Sequence, residues 1–83
     1  MSKITVYGAS WCGDTRRTRQ QLDSLSLAYD YVDIDADEAA SDWITQKNEG
    51  KRLTPTVDLK GKLFFEPTNV ELEAALRAEG VLK

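Results

Sequence analysis

The sequence predicts a small α/β protein with elements in the order β-α-β-α-β-β-α. Its sheet is expected to be mixed and four-stranded, of order 2-1-3-4, flanked by helices. Three observations carry that expectation. Apolar residues alternate with polar ones over 3–7, the period of a strand, and recur at helical spacing over 13–25. Two later segments open with paired polar residues three apart, the pattern of a capping box. Two further strand-like runs are separated only by Lys60-Gly61, which suits a tight hairpin. A chain of 83 residues fits one domain, residues 1–83.

The first strand is Lys3 to Tyr7, where Ile4 and Val6 alternate with Thr5 and Tyr7. Gly8 to Gly13 reads as a turn. A helix follows over about 13–25, with Thr15, Thr18, Leu22 and Leu25 on one face. Residues 29–34, Tyr-Asp-Tyr-Val-Asp-Ile, form the second strand. Asp35 with Glu38 starts a second helix, with Ala39, Ala40, Trp43 and Ile44 toward the core and Gly50 at its end. Thr56 to Leu59 and Lys62 to Phe65 make the hairpin. Thr68 with Glu71 caps a last helix that turns Leu72, Ala75 and Leu76 inward and stops at Gly80. Two strands joined through a helix are parallel with a right-handed crossover, and the closing hairpin is antiparallel. Order 2-1-3-4 satisfies both.

Composition narrows the chemistry. Eleven basic residues against 14 acidic give a net charge of −3, which argues against a nucleic-acid partner. No apolar run is long enough to span a membrane. The N-terminal Met-Ser-Lys-Ile-Thr-Val-Tyr lacks a signal-peptide pattern, so a cytoplasmic protein is expected. There is no histidine, hence no Ser-His-Asp or Cys-His pair and no histidine metal ligand. The acidic run Asp33, Asp35, Asp37, Glu38 and Asp42 lacks the spacing of a calcium loop and reads as helix capping and solvation, not as a metal site.

Cys12, the single cysteine, falls where the first strand hands over to the first helix. Free amides of Gly13, Asp14 and Thr15 can point at its sulfur there, and the positive helix end favours thiolate, the nucleophilic form. Gly13 lets the backbone approach closely. Thr15 can offer its hydroxyl, and Arg16 and Arg17 bring positive charge, while Asp14 opposes them. Arg19 reads as a solvated helix residue. Trp11, next to the sulfur, reads as a wall of a binding groove. Thr54-Pro55 stands just before a strand, where a proline removes no central ladder bond.

Trp11-Cys12-Gly13-Asp14-Thr15 after a first strand, with Leu53-Thr54-Pro55-Thr56-Val57 opening the third, resembles the glutaredoxin branch of the thioredoxin fold. Pro67-Thr68-Asn69-Val70-Glu71-Leu72 resembles the start of the last helix in mycoredoxin-like bacterial glutaredoxins. The resemblance implies that Cys12 is the nucleophile of a monothiol thiol–disulfide oxidoreductase. Trp11, Gly13, Asp14, Thr15 and Arg16 would support it. Thr54-Pro55 would be cis and face the sulfur, and Arg52, Thr54, Pro55, Thr68 and Asn69 would hold the small thiol. No cofactor would be bound permanently. The partners implied are S-thiolated proteins and a low-molecular-weight thiol as cosubstrate, acting on a monomer. Two departures stand out: Thr15 replaces the second cysteine of Cys-x-x-Cys, and the Gly-Gly-x-Asp glutathione motif is replaced around Pro67-Thr68-Asn69. Mycothiol and bacillithiol therefore stand beside glutathione. Three other readings remain at this level. One is an iron–sulfur cluster shared by two chains through Cys12 and small thiols. Another is an arsenate-reductase-like enzyme, because Cys12-Gly13-Asp14-Thr15-Arg16 is similar to a stretch of those proteins. The third is a redox-inactive interaction domain in which Cys12 is inert.

Overall fold

A computed structural model describes residues 3–82. Its elements are β1 (Ile4–Gly8), α1 (Gly13–Ser24), β2 (Asp30–Asp33), α2 (Glu38–Lys47), β3 (Thr56–Leu59), β4 (Lys62–Phe65) and α3 (Asn69–Ala78). The sheet order is β2-β1-β3-β4. β1 pairs with β2 in parallel and with β3 antiparallel, and β3 pairs with β4 antiparallel. This is the expected architecture, with the first strand shifted by one residue and the second trimmed at both ends. Among the described residues no helix is long and apolar enough to cross a membrane.

The period-2 pattern sorts the sheet's two faces. Ile4 and Val6 of β1 join Val57 and Leu59 of β3 on the face covered by Leu22 of α1 and by Leu72, Ala75 and Leu76 of α3. These side chains are almost fully buried, and removing each from water is worth roughly 1.5–3 kcal/mol for the larger ones. Tyr7 points to the opposite face, where Trp43 of α2 lies against it with ring centroids 5.5 Å apart.

Two helices begin as capping chemistry dictates. The Thr68 hydroxyl accepts from the Glu71 N–H, and the Glu71 carboxylate accepts from the Thr68 N–H, a reciprocal capping box. The α2 start differs from the sequence expectation. Asp37, not Asp35, is its N-cap, and its carboxylate accepts from the Ala40 N–H. Asp35 is diverted to longer-range partners described below. The register of α2 shifts accordingly: Ile44 is its buried side chain, Ala40 is half-buried, and Ala39 and Trp43 are exposed. Tyr7 packs tilted against the Trp43 ring, and the Lys47 ammonium lies 5.8 Å from the ring centroid.

The hairpin turn is two residues long, with Lys60 at φ 52° and Gly61 at φ 95°. Two consecutive positive φ values match the twist of the flanking strands, and glycine takes the second without steric cost. The Asp58 carboxylate accepts from the Gly61 N–H at 2.7 Å. The Lys60 ammonium donates to the Glu79 carbonyl, and Lys62 pairs with the Glu79 carboxylate, so the hairpin and the end of α3 are tied together.

Candidate active site

The register determines which loops meet. Gly8 pairs with Asp33 and Tyr7 with Thr56, so β1 and β2 end, and β3 begins, at one end of the sheet. Segments 9–12, 34–37 and 52–55 therefore emerge side by side, at the strand ends where open α/β sheets bind ligands.

Cys12 is the N-cap residue of α1, with extended backbone angles of φ −81° and ψ 119°. At an N-cap, a side-chain acceptor meets the amides two and three positions on. Here the capping side chain is a thiol, which makes no cap hydrogen bond and instead donates to Thr54. Burial pushes the thiol up, but the side chains of Thr54 and Thr15 and the backbone amides of Thr15 and Asp14 outweigh it and hold the pKa below the ordinary thiol value. The direction is the one expected, and hydroxyl and amide groups bring it about. Arg17 spends its charge on Asp14, at 3.5 Å, and donates to the Asn69 side-chain oxygen at 3.1 Å. Arg16 is exposed.

Thr15 is buried, at 1% exposure. A Cβ added at Gly8 would lie 2.4 Å from its Cγ2 and 2.7 Å from its Oγ1. Only glycine leaves room for the first turn of α1 to seat on the end of β1. The Thr15 hydroxyl also accepts from the Ala9 N–H at 3.4 Å. A Cβ added at Gly13 would meet nothing within 4 Å, so the space beside it is open.

The Thr54–Pro55 peptide bond is cis, and Pro55 is buried. The Cys12 thiol donates to the Thr54 carbonyl at 3.7 Å, across 42 residues of chain. Thr54 thus meets the sulfur twice, with a carbonyl that accepts from the thiol and a side chain that favours the thiolate.

A second cluster forms the rim. The indole N–H of Trp11 donates to one oxygen of Asp35 at 2.6 Å, and Arg52 bonds the other oxygen at 2.6 Å. The Arg52 Nε donates to the Ser41 hydroxyl. Arg52 and then Trp11 hold the Asp35 carboxyl below its ordinary value. Trp11 is 66% exposed, with its indole N–H pinned by Asp35. Residue types alone pointed Asp35 to a helix cap. The signal that finds it is topological: Trp11 follows β1, Asp35 follows β2, and the parallel pairing brings both to one rim.

Thr68 and Asn69 carry structural bonds. Thr68 caps α3, while Asn69 accepts from Arg17 through its side chain and from the Gln21 amide through its backbone carbonyl, fastening α3 to α1. Neither is among the groups that bond the sulfur. Arg19 departs from the solvated reading: its guanidinium lies 3.9 Å from the centroid of the Tyr31 ring and its Nε donates to the Tyr29 hydroxyl.

Comparison with known proteins agrees with this geometry. Residues 4–64 match the glutaredoxin family model. Mycoredoxin 1 of Corynebacterium glutamicum is 40% identical over 79 residues, covering 94% of this chain and 98% of that protein. The crystal structure of a thioredoxin-like protein superposes with a TM-score of 0.81 at 26% identity, covering 93% of this chain and 97% of the other. A glutaredoxin from Archaeoglobus fulgidus gives a TM-score of 0.80 at 20% identity, covering 93% and 88%. The chain belongs to the glutaredoxin family and is a thiol–disulfide oxidoreductase that works with a low-molecular-weight thiol and thiolated proteins.

Proposed function

We propose that Cys12 is the nucleophile and that mycothiol is the small thiol. The Cys12 thiolate attacks the mixed disulfide of an S-thiolated protein at the small thiol's sulfur. One S–S bond forms at Cys12 as the other breaks, and the protein leaves as a thiolate that takes up a proton. A second small thiol, as thiolate, attacks the Cys12 adduct. It releases Cys12 thiolate and a symmetric small-thiol disulfide, which carries away the two electrons' worth of oxidation. With no second cysteine in the chain, Cys12 cannot be resolved internally.

The observation that carries this reading is the sulfur at the N-cap of α1, among groups that favour its thiolate. The adjoining charges support the choice of thiol. Arg17 faces Asp14 and Arg52 faces Asp35, so the rim offers compensated pairs. Glutathione and bacillithiol carry carboxylates that want unpaired cations; mycothiol has an uncharged, hydroxyl-rich body. The relative named mycoredoxin points the same way. Thr54 and Pro55 would align the incoming disulfide, with the Thr54 backbone pairing with an amide of the small thiol. Trp11 would cover one side, with Gly13 leaving space for the thiol. A lone free thiol suits the reducing cytoplasm, and the protein would act as a monomer.

The test is to incubate the reduced protein with the oxidised forms of glutathione, mycothiol and bacillithiol and to weigh the products. A single adduct on Cys12, formed fastest with mycothiol disulfide and released by free mycothiol, is expected. Equal rates with all three would reject mycothiol. No adduct with any of them would reject the exchange mechanism.

A further inference from the structure

Asp35 is an exposed carboxylate with both oxygens engaged, and its partners come from the two segments that border the sulfur. Trp11 precedes Cys12 directly. Arg52 lies two residues before Thr54, whose carbonyl accepts from the Cys12 thiol. The two bonds of 2.6 Å to Asp35 therefore tie together the two chain segments that border the sulfur. Indole N–H and guanidinium are the donors that an anionic ligand beside Cys12 would seek, since a guanidinium fork matches carboxylate geometry. The Ser41 hydroxyl holds the Arg52 Nε as well.

We infer that Asp35 is a specificity-determining residue: it acts as a built-in carboxylate that occupies Arg52 and Trp11 and so withholds both donors from the anionic groups of an incoming disulfide. This inference rests on the exchange chemistry proposed at Cys12. It goes further by naming what selects the substrate. An anionic thiol must displace Asp35 from Arg52 Nη2 or bond a guanidinium whose charge Asp35 already offsets, without the two-pronged fit. An uncharged disulfide meets neither obstacle. Asp35 acts through Arg52 and Trp11, so it positions and selects without touching the reacting sulfur atoms.

The experiment measures second-order rate constants for Cys12 adduct formation with glutathione disulfide, which is anionic, and with bis(2-hydroxyethyl) disulfide, which is uncharged. Asp35→Asn is expected to raise the anionic-to-uncharged rate ratio roughly two- to fivefold, the range that one exposed ion pair supports, and Asp35→Ala to raise it at least as far. The rise should shrink between about 0.05 and 0.5 M salt as the freed guanidinium is screened. Adding Arg52→Gln to Asp35→Asn should return the ratio toward the wild-type value. Asp42→Asn removes the same charge from the exposed face of α2 and should move the ratio much less. In a Trp43→Phe background, Asp35→Asn should also shift the Trp11 emission. An unchanged ratio would overturn the inference. So would a parallel fall in both rates, or an equal rise with Asp42→Asn. If the unaltered protein forms no adduct with either disulfide or with mycothiol disulfide, the exchange reading itself fails. A selectivity that ignores Asp35 in an exchanging protein defeats only the role given to Asp35.

Discussion

The seat of the sulfur and the rim of the groove are built in opposite ways. Around Cys12, most contacts run from neighbours in sequence: the amides of Asp14 and Thr15, the Thr15 side chain, and the fit of Thr15 against Gly8. The rim is assembled from side chains far apart in the chain. Trp11 and Asp35 are separated by 24 positions, and Asp35 and Arg52 by 17. The seat is partly buried and rests on packing, whereas the rim is exposed and rests on charge. The seat of the sulfur is thus a local turn, and the rim a long-range bridge.

The largest expected effect comes from removing the sulfur. Cys12→Ser should reduce adduct formation to background, checked by mass, while the thermal transition stays close to that of the parent. In the parent, the rate of alkylation against pH should inflect below the ~8.5 of an ordinary cysteine. The sign follows from the depressed pKa. Thiolate stabilises the fold at pH values above the ordinary thiol range, and that contribution is lost as pH falls through the lowered value.

Next in size is the packing beneath the seat. Gly8→Ala drives a Cβ into Thr15 and should cost about 1–3 kcal/mol in chemical denaturation. The loss should shrink when Thr15→Ala is added, because the clashing atoms are gone. Equal losses in the single and the double variant would show that the seat does not depend on this contact. Thr68→Ala removes an N-cap acceptor and should cost about 1 kcal/mol by the same measurement.

The smallest effect probes the rim. Asp35 has a depressed pKa, so its bridge should persist as pH falls through the ordinary aspartate range and open only below it. Trp11 emission in a Trp43→Phe protein reports this. A change centred at or above the ordinary aspartate value would show that Arg52 and Trp11 do not hold the carboxylate.

The same contrast explains what could be read from the residues. Element order, strand order, the Thr68–Glu71 capping box and the Leu72, Ala75 and Leu76 face of α3 follow from periodicity and short-range pairing. The N-cap position of Cys12 does as well. The cis Thr54–Pro55 bond and its place against the sulfur came only through family resemblance, because a proline before a strand is trans far more often than cis. Asp35 reads as the cap in the sequence because an acidic residue three before Glu38 satisfies the capping pattern, while Asp37 makes the real cap. Nothing local distinguishes them; the parallel pairing of β1 with β2 does. Arg16 and Arg17 look alike in sequence, yet only Arg17 lies where it can reach both Asp14 and Asn69.

The bond from the Cys12 thiol to the Thr54 carbonyl couples a proton to a ligand. A carbonyl can accept from S–H but gains nothing from S⁻, so ionisation leaves that oxygen without its donor. A half-buried acceptor left vacant is costly, and an amide N–H on the incoming disulfide is the natural replacement. The oxygen has two lone pairs, so it can receive that N–H before or after the thiol proton leaves. One backbone oxygen that holds the thiol proton would thus also serve as a docking point for the molecule the sulfur attacks.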